Sequence, residues 1–276
     1  ASYIEMGSNS TLRLLQNSSQ SYYGMMNAIT NSTLWKTGNG TLSLRNTMTN
    51  FQANVVIDRG TLELIDVNGR LPLVPRFSVT NATLELDNQP GGDNANQNDR
   101  IGQEADVILN SGTIILRGSR NANTSENIGD LVFQSGFNTV QIDADSQMNN
   151  NTYLNPNTFS RSNAATALIR AEFLGETYSA VTNGFSRLAK DNARPAPTLT
   201  HSIAGSNTPS VGIVHWAYGQ DDIIAAGTVQ SNLGLVTYDD AGTTDNGFRL
   251  LRESEYNRGT FDLGGNVWIT NGANAT

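Results

Sequence analysis

Apolar and polar residues alternate in short runs along the chain, and each run has a threonine at its second position. The runs are STLRL (10–14), STLWK (32–36), GTLSL (40–44), GTLEL (60–64), ATLEL (82–86), GTIIL (112–116), NTVQI (138–142) and GTFDL (259–263). In all but STLWK, two apolar residues lie two positions apart, which predicts a β-strand with one buried face. In GTLSL, Leu42 and Leu44 are predicted to fill the interior, while Thr41 and Ser43 face outward.

The residues before several of these runs repeat as well. VVIDRGTLEL (55–64), FSVTNATLEL (77–86) and VILNSGTIIL (107–116) superpose without a gap. Each reads as a strand, two polar residues, a glycine or alanine, and the threonine that opens the next strand. The glycine or alanine position suits a residue that turns sharply or adopts a positive φ.

The threonines recur at a spacing that indicates stacked units. Thr33, Thr61, Thr83, Thr113 and Thr139 are separated by 28, 22, 30 and 26 residues. Self-similarity at this spacing is typical of stacked repeats. We predict an all-β, right-handed parallel β-helix (β-solenoid) with loop insertions and coils of roughly 20–30 residues. An antiparallel β-sandwich is the alternative, but it does not need the same turn sequence in register.

The pattern changes after residue 144 and divides the chain into three parts. Residues 1–144 carry the threonine-apolar coils. Residues 145–258 are predicted to continue them with long insertions, the first being a loop or edge insertion at 145–163, where periodicity is almost absent. Residues 259–276 contain GTFDL again and are predicted to start the next coil or module.

Composition and charge narrow the function classes. The chain is 37% hydrophobic and 15% charged, and much of its polarity comes from Asn, Thr, Ser and Gly, which serve tight turns. The net charge is −8 and the basic residues are scattered, so we expect no nucleic-acid partner. No cysteine is present, which excludes disulfides and cysteine-ligated zinc. No apolar run is long enough to span a membrane.

The start of the chain carries no charged-then-apolar leader. We expect any signal peptide to be already removed or to lie far upstream. Both ends read as cut from something longer.

The order of motifs in the second half resembles a known family. The motifs are TALIRAEFLG, SRL, PAPTLTHSIAG, GIVHWAYG, LGLVTYDD and GFRLLRESEY, and their central pieces are Ile169–Ala171, Pro195–Pro197, Trp216–Gly219, Val236–Asp239 and Arg249–Tyr256. With the GTLEL repeats, they resemble the autotransporter-associated β-strand repeat (passenger-associated transport repeat) family of large bacterial surface proteins. The resemblance covers nearly the whole chain. It implies an extracellular β-helical stalk or passenger displayed at the cell surface, and it leaves the export route open.

A catalytic site must be considered, because a β-helix is also the scaffold of polysaccharide-cleaving enzymes. GQDD (219–222) is the best candidate, since polygalacturonase-like enzymes carry a similar acidic pair and two carboxylates can act as acid and base. The Asn-Thr-Asp and Gly-His-Gly strings of those enzymes are missing, and the two histidines, His201 and His215, form no motif. We therefore interpret the pair as a solvated loop and assign no catalytic residue.

Other candidate sites are weaker. Acidic residues at 91–99, 143–145 and 239–240 offer oxygen ligands for Ca²⁺ without EF-hand spacing, so calcium is a secondary hypothesis, with no ligands and no other cofactor assigned. Trp216 and Tyr218 share parity and are predicted to point the same way, into the core rather than toward a glycan. Further aromatic candidates for sugar stacking are Trp35, Trp268, Tyr22 and Tyr23. Lys36 and Lys190 are the sole lysines, which argues against an internal isopeptide bond.

The sequence therefore predicts a structural or adhesive segment of a secreted or cell-surface bacterial protein, and not an enzyme. It would serve as a stalk, passenger, matrix or filament element. Its predicted partners are other copies or neighbouring modules joined by end-to-end β-stacking, with surface glycans as a further candidate. The alternatives are a polysaccharide-active β-helix enzyme and a non-catalytic glycan-binding module.

Overall fold

The computed structural model describes residues 2–89, 96–144, 150–175, 184–190, 195–200, 211–225, 228–239 and 247–256. These residues form the strands β1 (Tyr3–Met6), β2 (Thr11–Leu15), β3 (Gln20–Tyr22), β4 (Met25–Ala28), β5 (Thr33–Thr37), β6 (Thr41–Leu44), β7 (Asn54–Ile65), β8 (Arg76–Asp87), β9 (Asp106–Asn110), β10 (Thr113–Arg117), β11 (Thr124–Ile128), β12 (Leu131–Ser135), β13 (Phe137–Asp143), β14 (Thr152–Pro156), β15 (Phe159–Arg161), β16 (Thr166–Ala171), β17 (Ser186–Leu188), β18 (Ala217–Ala225), β19 (Thr228–Asp239) and β20 (Gly247–Leu250). A 3-10 turn, Glu253–Glu255, follows β20. Within these ranges, no helix has the length and apolarity that crossing a membrane requires.

Parallel pairing sorts the strands into three stacks. Stack 1 contains β1 and β4 at one end and β11, β14 and β17 at the other. Stack 2 contains β2, β5, the first halves of β7 and β8, β9, β12 and β15. Stack 3 contains β3, β6, the second halves of β7 and β8, β10, β13, β16 and β18. The result is a β-solenoid of about six turns, which confirms the predicted fold class. The right-handed sense stays a prediction.

Equivalent strands pair in register although coil length varies. Thr41 pairs with Thr61, 20 residues later, and Phe77 pairs with Val107, 30 residues later. The predicted threonine alignment was wrong at its first member, because Thr33 belongs to stack 2, where it pairs with Thr11. The threonine ladder of stack 3 consists of Thr41, Thr61, Thr83, Thr113 and Thr139.

The core is a continuous column of apolar side chains inside the coils. In stack 3 it consists of Leu42, Leu62, Leu84, Ile114, Val140 and Ile169, and of Leu44, Leu64, Leu86, Leu116, Ile142 and Ala171, all nearly or fully buried. This confirms the predicted inward positions of Leu42 and Leu44. Each fully buried aliphatic side chain of this size contributes about 1.5–3 kcal/mol of stability. Ser43, on the opposite face of β6, is also buried, and it donates a hydrogen bond to Glu63 of the next coil.

A left-handed residue marks the bend between stacks 2 and 3. Residues with positive φ there are Gly38, Arg59, Gly60, Asn81, Ser111, Gly136, Asn163 and Ala164. In two of the three superposed segments the positive φ falls on Asn81 and Ser111, one residue before the predicted alanine or glycine. Gly112 is required for a different reason, since a Cβ there would lie 2.6 Å from the carbonyl oxygen of Val79.

The prediction of a loop at 145–163 was wrong within its described part. β14 and β15 lie there and stack on β11 and β12. The periodicity of β14 is hidden because the interior of stack 1 carries polar side chains, with Thr124, Thr152 and Ser186 buried in successive coils. Parallel pairing continues across residue 144, since β13 pairs with β16. Residues 259–276 lie outside the described residues, so the coil predicted there stays a prediction.

Strand pairing changes direction at the C-terminal end of the solenoid. β18 is parallel to β16, but β19 is antiparallel to β18 and β20 is antiparallel to β19. Beneath these strands lie the rings of Phe133, Phe159, Trp216, Tyr238 and Phe248, with centroid separations between 5.0 and 6.4 Å. We call these five residues the aromatic cluster. They close the interior of the solenoid at this end.

Candidate functional site

The acidic pair Asp221 and Asp222 does not form a catalytic dyad. The two residues are consecutive in β18, so their side chains leave opposite faces of the strand. Asp221 Oδ1 accepts a hydrogen bond of 3.0 Å from the backbone N–H of Leu174. Asp222 accepts one of 2.6 Å from Arg170 Nε and one of 3.0 Å from Gln220 Nε2. Both aspartates are buried strand residues, so their interpretation as a solvated loop was wrong.

The surroundings of Asp222 hold it ionised. Burial raises the pKa of Asp222, but hydrogen bonds from Ser231, Arg170 and Gln220 outweigh burial and leave that pKa below its usual value. A general acid of glycoside hydrolysis needs a raised pKa and a partner carboxylate across the scissile bond. The geometry suits an ion pair that joins β18 to β16.

Three carboxylates that the sequence did not single out meet on the outer surface of stack 3. Glu63 and Glu85 are in-register partners, and Asp87 follows Glu85 by two residues in β8. Carboxylate oxygens of the three lie within 4.8 Å of one another. Burial is the main cause that raises the pKa of Asp87. Among the described residues, this is the arrangement with the oxygen ligands that Ca²⁺ prefers.

Ion pairs extend from these carboxylates along stack 3. Arg117 Nε lies 2.6 Å from a Glu85 oxygen, and its terminal nitrogen lies 2.7 Å from Asp143. Further along, Arg170 Nε lies 2.6 Å from Asp222. We call Glu63, Glu85, Asp87, Arg117, Asp143, Arg170 and Asp222 the charge ladder. Because each of these cations contacts a neighbouring strand of the stack, the ion pairs connect successive coils.

A second polar centre lies inside the solenoid at Lys36. In stack 2 its side chain takes the inner position between Leu14 and Ile57, and it is fully buried. Its Nζ donates hydrogen bonds to the carbonyl oxygens of Gly38 (2.8 Å), Gly40 (2.6 Å) and Arg59 (2.7 Å). Burial lowers the pKa of Lys36 to about 8. The ammonium thus joins two successive coils at their bend.

A third polar centre surrounds Arg100 and Glu126, where stack 1 has short bridges in place of strands. The Arg100 guanidinium donates to the carbonyl oxygens of Gly69 and Asp66, both at 2.8 Å, and to Asn88 Oδ1 at 2.9 Å. The Glu126 carboxylate accepts the backbone N–H groups of Arg100 (2.8 Å) and Ile101 (2.9 Å). Burial raises the pKa of Glu126 to about 8. These side chains add to the few backbone hydrogen bonds that join the coils here, such as those from Leu71 N–H to Arg100 O and from Asp99 N–H to Ser125 O.

A fourth polar centre locks the C-terminal strands. Arg249 of β20 donates to both oxygens of Glu255, at 2.7 and 2.8 Å, and to Asp239 of β19 at 2.5 Å. Glu255 is fully buried. The segments Val236–Asp239 and Arg249–Tyr256, which carry part of the family resemblance, are therefore joined by one buried cation.

The structure places the aromatic and histidine candidates in different environments. Trp216 lies in the turn before β18 and belongs to the aromatic cluster, whereas Tyr218 is 50% exposed. The prediction that they point the same way was wrong, because the strand begins at Ala217, after Trp216. Trp35 packs under the Arg13 guanidinium at 4.9 Å from ring centroid to Cζ. His215 is exposed, and His201 and Trp268 lie outside the described residues.

The predicted calcium segments are used as structural acceptors in their described parts. Asp143 pairs with Arg117, and Asp239 pairs with Arg249. Asp99 accepts hydrogen bonds from the backbone and side chain of Asn127, at 3.1 and 2.9 Å. Residues 91–95, 145 and 240 lie outside the described residues.

Sequence reasoning missed Arg100, Glu126 and the Glu63–Glu85–Asp87 group. The last could have been found by aligning GTLEL with ATLEL, which places the two glutamates side by side. Together, these centres link the chain to itself. The chain matches no protein-family model, no curated protein and no solved structure.

Proposed function

We propose that this chain is a structural or adhesive rod segment of a secreted or cell-surface bacterial protein. The observation that carries the proposal is how the polar residues are used. Lys36, Arg100, Arg117 and Arg249 each bridge neighbouring strands or coils by charged hydrogen bonds. Such bridges resist separation of the coils along the solenoid axis.

The extracellular setting is supported by the absence of cysteine, the composition of uncharged polar residues and the motif order that resembles bacterial surface proteins. In this setting, the chain acts as a spacer, passenger or filament element, and its ends pair with further β-coils. Surface glycans are a further candidate partner, for which the exposed Tyr218 offers a ring.

Pulling single molecules by their two ends tests the load-bearing role. Because the coils contact their nearest neighbours, we expect them to detach one after another, each releasing 20 to 30 residues, or about 70–100 Å of chain. Release of the whole chain in one step at low force would contradict the proposal.

An enzymatic role makes a different prediction. If the chain cleaved polysaccharide through its acidic pair, the wild type would release reducing sugar and Asp222→Asn would not. The matched control is Asp58→Asn, on the outer side of stack 2. We expect no release from wild type or either variant, and release that Asp222→Asn alone abolishes would overturn the proposed role.

A further inference from the structure

Two asparagine–glycine pairs lie at turns of the solenoid, Asn39–Gly40 and Asn68–Gly69. The backbone nitrogen that follows an asparagine can attack the side-chain amide, and glycine permits this most readily because no Cβ hinders the approach. In both pairs the asparagine is exposed and the glycine is buried. Any difference in their reactivity must therefore come from how each glycine is held. The asparagines of the other such pairs, at 183, 246 and 271, lie outside the described residues.

The nitrogen of Gly40 is engaged in a contact between coils. Its N–H donates a hydrogen bond of 2.8 Å to the carbonyl oxygen of Gln16 in the preceding coil. The carbonyl oxygen of Gly40 in turn accepts the hydrogen bond from Lys36 Nζ. The Gly40 nitrogen cannot attack Asn39 without first breaking its bond to Gln16, so the fold protects Asn39.

The nitrogen of Gly69 is held differently. Within the part of the chain that the structure describes, the Gly69 N–H donates no hydrogen bond. The Arg100 guanidinium instead binds the carbonyl oxygens of Asp66 and Gly69, both at 2.8 Å. Both ends of the 66–69 turn are therefore fixed through their carbonyl groups, and no hydrogen bond must break before the Gly69 nitrogen attacks Asn68.

The fold also requires glycine at residue 69. A Cβ there would collide with backbone atoms of Ile65 and would lie 2.5 Å from the carbonyl oxygen of Leu44. Backbone atoms cannot move aside as a flexible side chain can, so a bulkier residue that would hinder the attack on Asn68 does not fit. The reactive pair is thus a consequence of the close approach between two coils.

We propose that Asn68 is a site of spontaneous deamidation in the folded protein and that Asn39 is protected from it. The Gly69 nitrogen attacks Asn68 Cγ, a new N–Cγ bond forms, and the Cγ–Nδ2 bond breaks. The side-chain nitrogen leaves as ammonia and takes up the proton that the Gly69 nitrogen loses. Water then opens the five-membered imide, at Cγ to give aspartate or at the backbone carbonyl carbon to give isoaspartate.

The two products affect the turn differently. In isoaspartate the main chain runs through Cβ and Cγ and is one methylene longer. The carbonyl oxygen of Asn68, which accepts a hydrogen bond of 2.9 Å from Thr47 Oγ1, becomes part of a free carboxylate. The carbonyl of Gly69 moves relative to the fully buried Arg100. We therefore expect isoaspartate, but not aspartate, to loosen the contact between these coils.

Peptide mapping by mass spectrometry, after incubation of the full chain in heavy-oxygen water at mildly alkaline pH, tests the site. Each new product takes up one oxygen from the solvent, which separates it from material that reacted earlier. In the folded chain we expect Asn68 to deamidate at least about fivefold faster than Asn39, the factor that corresponds to one backbone hydrogen bond.

The same chain unfolded in urea is the matched control. Both pairs are then free of the fold, and their rates should become similar. Asn68→Gln should remove the reaction at residue 68 and leave the rate at Asn39 unchanged, because a glutamine would have to form a larger ring. A folded chain in which Asn39 reacts as fast as Asn68, or in which Asn68 takes up label only after unfolding, would overturn the proposal.

Stability measurements test the consequence for the coil contact. Anion exchange separates the products from the parent chain, because each carries one more negative charge. Asn68→Asp has the charge of the isoaspartate product with an ordinary main chain. We expect isoaspartate at residue 68 to lower the urea midpoint and Asn68→Asp to keep it near that of the wild type. Equal midpoints would refute the link to Arg100. The site goes beyond the proposed structural role and is tested without assuming it.

Discussion

The Nζ of Lys36 lies 2.6 Å from the carbonyl oxygen of Gly40 and donates a hydrogen bond to it inside the solenoid. Replacing this ammonium by an apolar group of similar length would leave the carbonyls of Gly38, Gly40 and Arg59 without this donor. Since a buried polar group without a partner costs about 1–3 kcal/mol, we expect Lys36→Met to lower the free energy of unfolding by about 2–5 kcal/mol at pH 7. Urea denaturation followed by circular dichroism measures this loss.

The control for Lys36→Met is Ile57→Met, at the same inner position one coil later. This change conserves volume and removes no hydrogen bond, so its cost is expected to stay below about 1.5 kcal/mol. Equal losses in both variants would show that packing, and not the ammonium, stabilises the bend.

Gly60 sits at the same bend with φ of +63°. A Cβ there would collide with Lys36 Nζ and with the carbonyl oxygens of Gly38 and Gly40. We expect Gly60→Ala to destabilise the chain by more than about 2 kcal/mol, since the left-handed conformation alone costs about 1–2 kcal/mol with a Cβ. Ala82, its in-register partner, gives the reverse test: Ala82→Gly should cost about 1 kcal/mol or less in thermal or urea unfolding.

The buried Glu126 predicts a pH dependence of stability. Burial raises its pKa to about 8, so the folded chain holds this proton at pH values where the unfolded chain releases it, above about 4.3. The free energy of unfolding should therefore fall as pH rises from about 4.3 to 8 and level off above. Urea midpoints measured across this range test the slope.

Glu126→Gln provides the comparison for that slope. Glutamine has no proton that titrates in this range, so the free energy of unfolding of this variant should fall less between about pH 6 and pH 8 than that of the wild type. Glu5→Gln, which removes an exposed carboxylate, is expected to keep the wild-type profile. A slope that survives in Glu126→Gln would assign the titration to another group.

Arg249 holds the fully buried Glu255 by two hydrogen bonds. Arg249→Met would leave that carboxylate buried without its cation, and breaking such a pair typically costs about 3–5 kcal/mol. We expect the loss to appear first at the C-terminal end, where Trp216 fluorescence reports on the neighbouring aromatic cluster.

Arg170→Met is the matched control for Arg249→Met. Arg170 also pairs with an aspartate, but its side chain is 41% exposed. Asp222 would keep its hydrogen bonds from Gln220 and Ser231, so we expect a smaller loss of stability than in Arg249→Met. If both variants lost the same stability, burial would not be what makes the Arg249 pair strong.

The repeat pattern predicted the solenoid because one requirement governs every coil, namely apolar residues at alternate inward positions. Leu42 and Leu44 follow this rule, and their neighbours in stack 3 repeat it. The rule fails where the interior is polar. Thr124 and Thr152 stack inside stack 1, so β14 lies in a stretch that reads as loop.

The polar centres were harder to predict because their partners are backbone carbonyls of distant coils. Lys36 did leave a signal, since it interrupts the pattern in STLWK, but nothing in the sequence shows that Arg59 O lies beside it. Arg100 and Glu126 left none, because their partners lie where the chain forms bridges and no regular strand. The charged pair Asp221 and Asp222 was visible, yet its meaning depended on the strand that separates the two side chains.

The aromatic cluster sets the order in which the coils of the solenoid unfold on heating. Five packed rings fill the interior at the C-terminal end, whereas the inner side chains Ile4, Leu12 and Tyr22 of the first coil are partly exposed to water. Thermal unfolding should start at the first coil and advance one coil at a time. The native environment of Trp35, in the second coil, should therefore be lost before that of Trp216.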